Sequence, residues 1–401
     1  MELKKIHISD IGKIVTGKTP RTSVAENYNG YIPFLTPSDD LSHKSAPKTT
    51  KTLTEQGLNE VRNCLLPSRS ICVSCIGSDL GKVVMIKEPT VTNQQFNSII
   101  PNKNFNADFV YYLMTLVGRE LNYLSKTSTA VPIINKSSFS NYEIEVPDLE
   151  TQNRIASILS SIDSKIELNR RINDNLEQQA QALFKSWFVD FEPFRGGEFV
   201  DSELGLIPKG WRVVSLGEVT KQITEKVGNR EDVTVLSPIN SGELVLSEEY
   251  FTKQVFSKDL SKYLIVNPLS FAYNPARINI GSIGLNTFDF VGCVSPVYVV
   301  FECEPNYQYF FDFFKRTAMF KDEVALRAIG GVRQSLGYND LSLIKTIYPT
   351  SDVVVEFNNL YLKMKEVMIK NTDQNEKFIS LRDSLLPKLM SGELKINEFN
   401  C

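Results

Sequence analysis

TQNRIASILSSIDSKIELNRRINDNLEQQAQALFKSWF, residues 151–188, lies near the middle of a 401-residue chain and contains neither glycine nor proline. Its apolar residues recur at helical spacing. Counted in sevens from Ile155, one line reads Ile155, Ile162, Asn169, Leu176 and Leu183, and the line three residues on reads Ile158, Lys165, Ile172, Gln179 and Ser186. Leu159, Ile166, Ala180 and Trp187 widen the stripe on one flank, which suits a helix with more than one neighbour better than a strict two-stranded coil. At 1.5 Å per residue a helix of this length spans roughly 57 Å, the length of a spacer.

The pattern returns near the other end of the chain. Sevens from Phe357 give Phe357, Met364, Asn371, Phe378 and Leu385, with Leu360, Val367, Gln374 and Leu381 three positions later. The two stripes are offset by 202 residues, so that Asn169 falls on Asn371 and a polar residue interrupts each stripe near mid-helix. A buried Asn there costs stability but fixes register and partner choice. The alternative is that both face solvent beside a wider apolar stripe.

Matches outside the helices keep the same order. Val146-Pro147 corresponds to Tyr348-Pro349 at 202, Thr129-Ala130-Val131 to Gly330-Gly331-Val332 at 201, Ser70-Ile71 and Gly81 to Ser270-Phe271 and Gly281 at 200, and Ile11-Gly12-Lys13-Ile14 to Leu216-Gly217-Glu218-Val219 at 205. Such slow drift is what loop insertions and deletions produce, and it identifies a tandem repeat of one unit, a mixed domain followed by a long helix. The expected layout is domain 1–150, helix 151–188, linker 189–207 with turns at Arg195-Gly196-Gly197 and Pro208-Lys209-Gly210, domain 208–350, helix 351–386 and tail 387–401.

Strand-like runs in the domains include residues 70–76, 82–86, 264–273 and 292–301, and helical spacing is expected over 107–124 and 307–326. The fold class is α+β: a tandem duplication of a β-rich globular domain followed by a long helix. Two like units packed as equals are related by a pseudo-two-fold axis, which sets the helices antiparallel as a coiled-coil-like spacer and holds two similar surfaces apart. Duplex DNA suits such an object, because half-sites one helical turn apart are separated by roughly 34 Å.

Composition sets the bounds. The chain is 42% apolar and 23% charged, with apolar runs far shorter than the roughly 20 residues of a membrane span and no apolar signal core in MELKKIHISD, so a cytoplasmic protein is expected. Six cysteines do not make a dense disulfide framework. Cys72-x-x-Cys75 has no second pair at finger spacing and only His7 and His43 to join it, so no metal site is expected.

LEQQAQALFKSWFVDFEPF (176–194), LRDSLLPKLMSGELKI (381–396), GGVRQSLGYNDL (330–341) and IPFLTPSDDL (32–41) together make the chain resemble the specificity subunit of type I restriction-modification systems over essentially its whole length. The resemblance implies two target recognition domains, each reading one half of a split DNA sequence, and two helices that act as ruler and as docking surface for two methyltransferase subunits. It further implies restriction or translocase subunits in the full complex and a role in defence against foreign DNA. The chain itself would be non-catalytic, with S-adenosylmethionine and ATP on partner subunits.

Charge shifts part of the work to those partners. Residues 1–150 hold 16 Lys and Arg against 15 Asp and Glu, and residues 201–350 hold 15 against 17, so neither domain is basic. Non-specific grip on DNA comes mostly from cations on phosphates, which leaves base-edge reading as this chain's task. Arg pairs with guanine, and Asn or Gln with adenine, through two hydrogen bonds in the major groove. Candidate readers in polar loops are Lys18, Arg21, Thr36, Ser38, Asp39, Lys44, Gln94, Gln95 and Lys136 in the first domain, and Asn274, Arg277, Asn279, Arg333, Gln334 and Ser335 in the second. Each competes with ordinary surface or turn duty.

Two motifs point toward enzymes and fail on context. Gly12 to Thr19 matches G-x-x-x-x-G-K-[ST], but Pro20 pushes Thr19 out of helical conformation where a phosphate-binding helix must begin, and the second copy lacks the pattern. Tyr273-Asn274-Pro275-Ala276 resembles the tetrapeptide of DNA amino-methyltransferases only in its first half and has no glycine-rich cofactor loop beside it. No catalytic residue is assigned. The rival from another class is a duplicated protein- or glycan-binding scaffold.

Overall fold

Two helices of about forty residues organise the fold. The computed structural model describes residues 2–45, 48–126, 133–251, 256–327 and 335–394. The central helix runs Leu149–Phe188 and the C-terminal helix Ser351–Ser391. Each follows a short strand and a proline, Val146-Pro147 and Tyr348-Pro349. Asp148 starts the central helix, its carboxylate accepting the Thr151 backbone N–H at 2.9 Å and the Thr151 hydroxyl at 3.0 Å, as a helix N-cap does. The C-terminal helix continues through Pro387, a residue that removes one backbone hydrogen bond, and stops at Gly392, which has φ 76°. Leu386 and Leu389 are buried in a domain core, and this burial carries the helix past the point where the sequence suggests an end.

The chain forms two compact units, Met1–Arg171 with Asn371–Cys401, and Ile172–Lys370. The first contains a domain with three sheets. Lys4–His7 pairs antiparallel with Glu143–Val146. A four-stranded sheet runs in the order Gly12–Thr16, Phe96–Pro101, Ile71–Ser74, Val83–Met85, and another in the order Lys51–Leu53, Tyr28–Leu35, Thr90–Thr92, Leu65–Leu66. The helix Ala107–Lys126 packs Phe109, Tyr112 and Met114 into one core together with Ile155 and Leu159 of the central helix and Leu386 and Leu389 of the C-terminal helix.

The second unit repeats this topology strand for strand. Arg212–Ser215 pairs with Lys345–Tyr348; the four-stranded sheets run Thr220–Ile223, Val299–Cys303, Phe271–Tyr273, Ile283–Leu285 and Leu244–Leu246, Thr234–Pro238, Gly292–Val294, Leu264–Val266. Each copy contains one parallel pair at the same place, Phe34 beside Val91 and Val235 beside Cys293. Backbone detail repeats at the offset of 200: Gly81 and Gly281 have φ 89° and 95°, and Arg69 and Leu269 occupy the same left-handed region at 67° and 61°. The second core is aromatic, with Phe184 and Phe188 packed on Phe310, Phe313 and Phe357.

Four expectations about the domains and the linker change. The match at offset 205 is a false register. The short helices Ile8–Ile11 and Leu216–Val219 are the equivalent elements, and both open with a capping box, His7 with Asp10 and Ser215 with Glu218, so the true offset there is 208. Residues 264–273 and 292–301 are not single strands. Leu264–Val266 and Gly292–Val294 end before tight turns at Asn267–Ser270 and Ser295–Tyr298, and a second strand begins after each turn, at Phe271 and at Val299. The helical stretch 307–326 divides into Gln308–Phe314 and Ala318–Arg327, broken after Lys315, whose side chain turns inward to the carbonyls of Gly242 and Ile283 at 2.6 and 2.9 Å. Residues 189–207, expected as a linker, carry the hairpin Phe199–Ser202 with Gly205–Pro208, while Phe191 and Phe194 pack their rings on Trp211 at 5.5 and 5.1 Å.

On the central helix the flank expected to widen the stripe is the shielded partner of Ile155, Ile162, Asn169, Leu176 and Leu183: Leu159, Ile166, Ala180 and Trp187 are covered, together with Asn173, whereas Lys165, Ile172 and Gln179 of the line three residues on are exposed. The C-terminal helix behaves alike. Phe357, Met364, Asn371, Phe378 and Leu385 run beside Tyr361, Met368, Asn375, Arg382 and Leu389, while Val367, Gln374 and Leu381 are exposed. Ile158 and Leu360 are half-buried at the margin. The spacing still alternates four and three, a heptad seam whose second line sits on the other flank. Contacts within each unit run in opposite chain directions. In the first, Asn169 meets Asn375 and Asp163 meets Arg382; in the second, Asn173 meets Met368 and Trp187 meets Phe357.

Candidate nucleic-acid interface

In the first domain four loops meet at one edge of the sheet that contains Gly12–Thr16. Gly17 and Lys18 donate their backbone N–H groups to the carbonyls of Phe96 and Thr92 at 3.1 and 2.9 Å, and the Thr19 hydroxyl donates to the Gln94 side-chain oxygen at 2.6 Å. Cys75 N–H donates to the Gln95 carbonyl at 2.8 Å, and Ile134 N–H to the Cys75 carbonyl at 2.9 Å. The Asn97 side chain donates to the Ile134 carbonyl at 3.2 Å. Burial pushes the Cys64 thiol up, and the Lys18 and Lys136 charges oppose that shift. Lys18, Gln94 and Lys136 are exposed there, and Gln95 is half-buried, bonded to Asn93 through side chain and backbone.

The remaining first-domain candidates have internal duties. Asp39 is buried. One of its oxygens accepts the Thr36 N–H at 2.8 Å, and the other accepts the Thr50 N–H and hydroxyl, both at 2.8 Å. Thr36 is buried with it, and its hydroxyl lies 2.7 Å from that of the exposed Ser38. Lys44 is an ion-pair partner of Asp108 at 2.8 Å and donates to the hydroxyls of Tyr112 and Ser160 at 3.0 and 2.8 Å. Arg21 is exposed but holds Glu60 through its side chain at 2.7 and 2.9 Å and its backbone N–H at 2.9 Å, which brings the Glu60 carboxyl down to about 2. These groups are committed within the protein, which leaves fewer donors and acceptors for bases.

The second domain builds the corresponding edge. Asn274 N–H donates to the Ser282 carbonyl at 3.0 Å, and Leu336 N–H to the Pro275 carbonyl at 3.1 Å, the counterpart of Ile134 on Cys75. The Asn274 side chain accepts the Ala276 N–H at 3.0 Å, folding the loop that presents Arg277. Arg277, Asn279 and Ser335 are exposed. Arg333 and Gln334 lie outside the described residues, as do Thr129-Ala130-Val131 and Gly330-Gly331-Val332. A polar-loop search missed exposed apolar side chains at the same edges, Ile133 in the first domain and Val297 in the second. The only signal for Val297 was its place in the turn matched to Gln94-Gln95.

The enzyme-like motifs resolve into structure. Gly12–Thr16 is a strand paired with Phe96–Pro101, and no helix begins at Thr19, so the loop cannot form a phosphate cradle. Cys72 and Cys75 are buried, with burial pushing their thiols up to about 12 and about 11. Among the described residues no group of His, Cys, Asp or Glu is arranged to hold a metal, and no helix is long and apolar enough to cross a membrane.

Comparison with known proteins agrees with this architecture. The family described as "Type I restriction modification DNA specificity domain" matches residues 1–178. The chain is 28% identical over 412 residues to the type I restriction enzyme MjaIX specificity subunit of Methanocaldococcus jannaschii, covering 99% of this chain and 94% of that one. It is 25% identical to the HindI specificity subunit of Haemophilus influenzae, covering 76% and 81%. Its fold is shared with a crystal structure of a type I restriction-modification S subunit from M. genitalium, at TM-score 0.54, 15% identity and coverage of 97% and 96%. With a relative aligned along nearly its entire length and a family match over residues 1–178, the chain is similar throughout to type I restriction-modification specificity subunits.

Proposed function

We propose that this chain is the non-catalytic DNA sequence-specificity subunit of a type I restriction-modification complex. Residues 1–150 and 208–350 each read one half of a bipartite site in double-stranded DNA, and the two long helices set the unread gap and dock two methyltransferase subunits. S-adenosylmethionine and ATP bind on partner subunits, the latter for a restriction or translocase subunit, and the complex works in the cytoplasm against foreign DNA. The observation that carries this reading is the repetition of one strand order, with the same loop edge and different side chains on it. Two copies of a scaffold with unlike edges are what reading two unlike half-sites requires. Lys18, Gln94, Gln95 and Lys136 are the first-domain readers, and Asn274, Arg277, Asn279, Arg333, Gln334 and Ser335 the second.

Neither domain is basic, so stable grip on DNA comes from the assembled complex, and base discrimination from these loops. The direct test is genome-wide mapping of methylated adenines in cells that carry the chain with its partners. A split motif with a fixed gap is expected, and a continuous motif would overturn the proposal. Exchanging residues 208–350 for the matching region of a relative changes one half of the motif and leaves the other intact.

A further inference from the structure

One turn at the reading edge is the same object in both domains but carries opposite chemistry. In the first, Phe96 N–H donates to the Asn93 carbonyl at 3.2 Å; in the second, Tyr298 N–H donates to the Ser295 carbonyl at 3.0 Å. The strands that follow are in matching register, since Ile71 faces Ile99 and Phe271 faces Phe301. The two central turn residues are Gln94 and Gln95 in the first domain and Pro296 and Val297 in the second.

The neighbouring loop differs in the same sense. Gly77 stands where the second domain has Arg277, and a Cβ placed on Gly77 would lie 3.9 Å from the Gln95 side-chain nitrogen. In the second domain Tyr273, the last residue of its strand, pairs with Val299, the first of its own, so the loop that carries Arg277 and the turn Ser295–Tyr298 leave the same end of two paired strands. Thus a carboxamide over a glycine is replaced by a branched alkyl group, with a guanidinium on the neighbouring loop. Val297 is 71% exposed at the tip of this turn, where its methyl groups are free to meet a ligand. Pro296 fixes one backbone angle of the turn, so less freedom is lost when the tip is ordered by a ligand.

In the major groove the apolar feature of a base pair is the thymine 5-methyl group, and small apolar side chains read it by contact. We propose that Val297 is a specificity-determining residue that packs on a thymine methyl in the half-site bound by residues 208–350, beside the base pair facing Arg277. This rests on the DNA-reading function proposed above.

The test uses the complex assembled with its methyltransferase subunits and duplexes carrying the mapped motif, with each thymine of that half-site replaced in turn by deoxyuridine, which lacks only the methyl. At one position the replacement weakens binding about fourfold, the factor expected for one exposed methyl. Val297→Ala loses a similar factor on the thymine duplex and becomes indifferent to deoxyuridine there, the signature of a coupled pair. If every thymine of that half-site tolerates deoxyuridine, or if Val297→Ala keeps the full sensitivity, the assignment is overturned while DNA reading stands. If the complex does not prefer the bipartite duplex to a scrambled one, the function beneath it is overturned as well.

Discussion

The Asn169 side-chain amide donates to the side-chain oxygen of Asn375 at 3.0 Å, and both residues are buried on the facing seams of the two long helices in the first unit. Asn375 in turn donates to the Ile166 carbonyl at 3.4 Å, and Asn371 is buried one turn away. The polar interruption seen in the sequence is therefore a buried, bonded cluster and not a solvent-facing face. Such groups are worth little net as a pair and much when one is removed, because the survivor is left desolvated without a partner.

Asn169→Leu is expected to lower stability by about 1–3 kcal/mol by orphaning the Asn375 oxygen. Adding Asn375→Leu should return most of that loss. Denaturant unfolding of the two single variants and the double variant gives the coupling, and strictly additive losses would show that the two side chains do not act as a pair.

Asp39 and Lys18 are both polar loop residues, but only Asp39 is buried, and substitution should separate them. Asp39→Ala removes the acceptor for the Thr36 and Thr50 N–H groups and should cost about 1–3 kcal/mol of stability without changing the recognised motif. Lys18→Ala should leave stability within about 0.5 kcal/mol and relax the recognised motif at one position of the half-site read by residues 1–150. Thermal unfolding and motif mapping with the assembled complex measure both.

Glu60 supplies a pH test. Its carboxyl lies at about 2, below its ordinary 4.5, because Arg21 donates to it from side chain and backbone. A depressed folded value means that the contribution is complete above the ordinary carboxylate range and is lost as pH falls from 4.5 through about 2. Carbon-detected NMR titration should place Glu60 near 2 in the parent chain and nearer 4.5 in Arg21→Ala, with the DNA motif unchanged.

Lys315 is buried with Asp312 at 2.7 Å and two carbonyl oxygens in reach. Burial lowers its affinity for a proton and Asp312 opposes that shift. Lys315→Met leaves the buried Asp312 with Arg316 as its remaining cation and should cost about 3–5 kcal/mol. Calorimetric unfolding should show this loss in Lys315→Met and a smaller one when Asp312→Leu accompanies it.

The duplication, the two long helices and the alignment of Asn169 with Asn371 were legible in the sequence alone. Periodicity and repeated spacing are properties of the chain read in order, and a long run without glycine or proline has few alternatives to a helix. Tertiary structure alone decided the rest. Leu159 and Ile166 were legible as an apolar flank of the stripe, but that this flank is covered while Lys165 and Ile172 stay exposed depends on which side the neighbour lies. The helix passes Pro387 because Leu389 finds a core. Asp39 became part of the fold and Gln94 part of the edge because a polar residue type does not encode whether its partner is a distant backbone N–H or something outside the chain. Val297 entered the reading edge only when the two turns could be matched hydrogen bond by hydrogen bond, since an apolar residue at a surface acquires meaning from its neighbours in space.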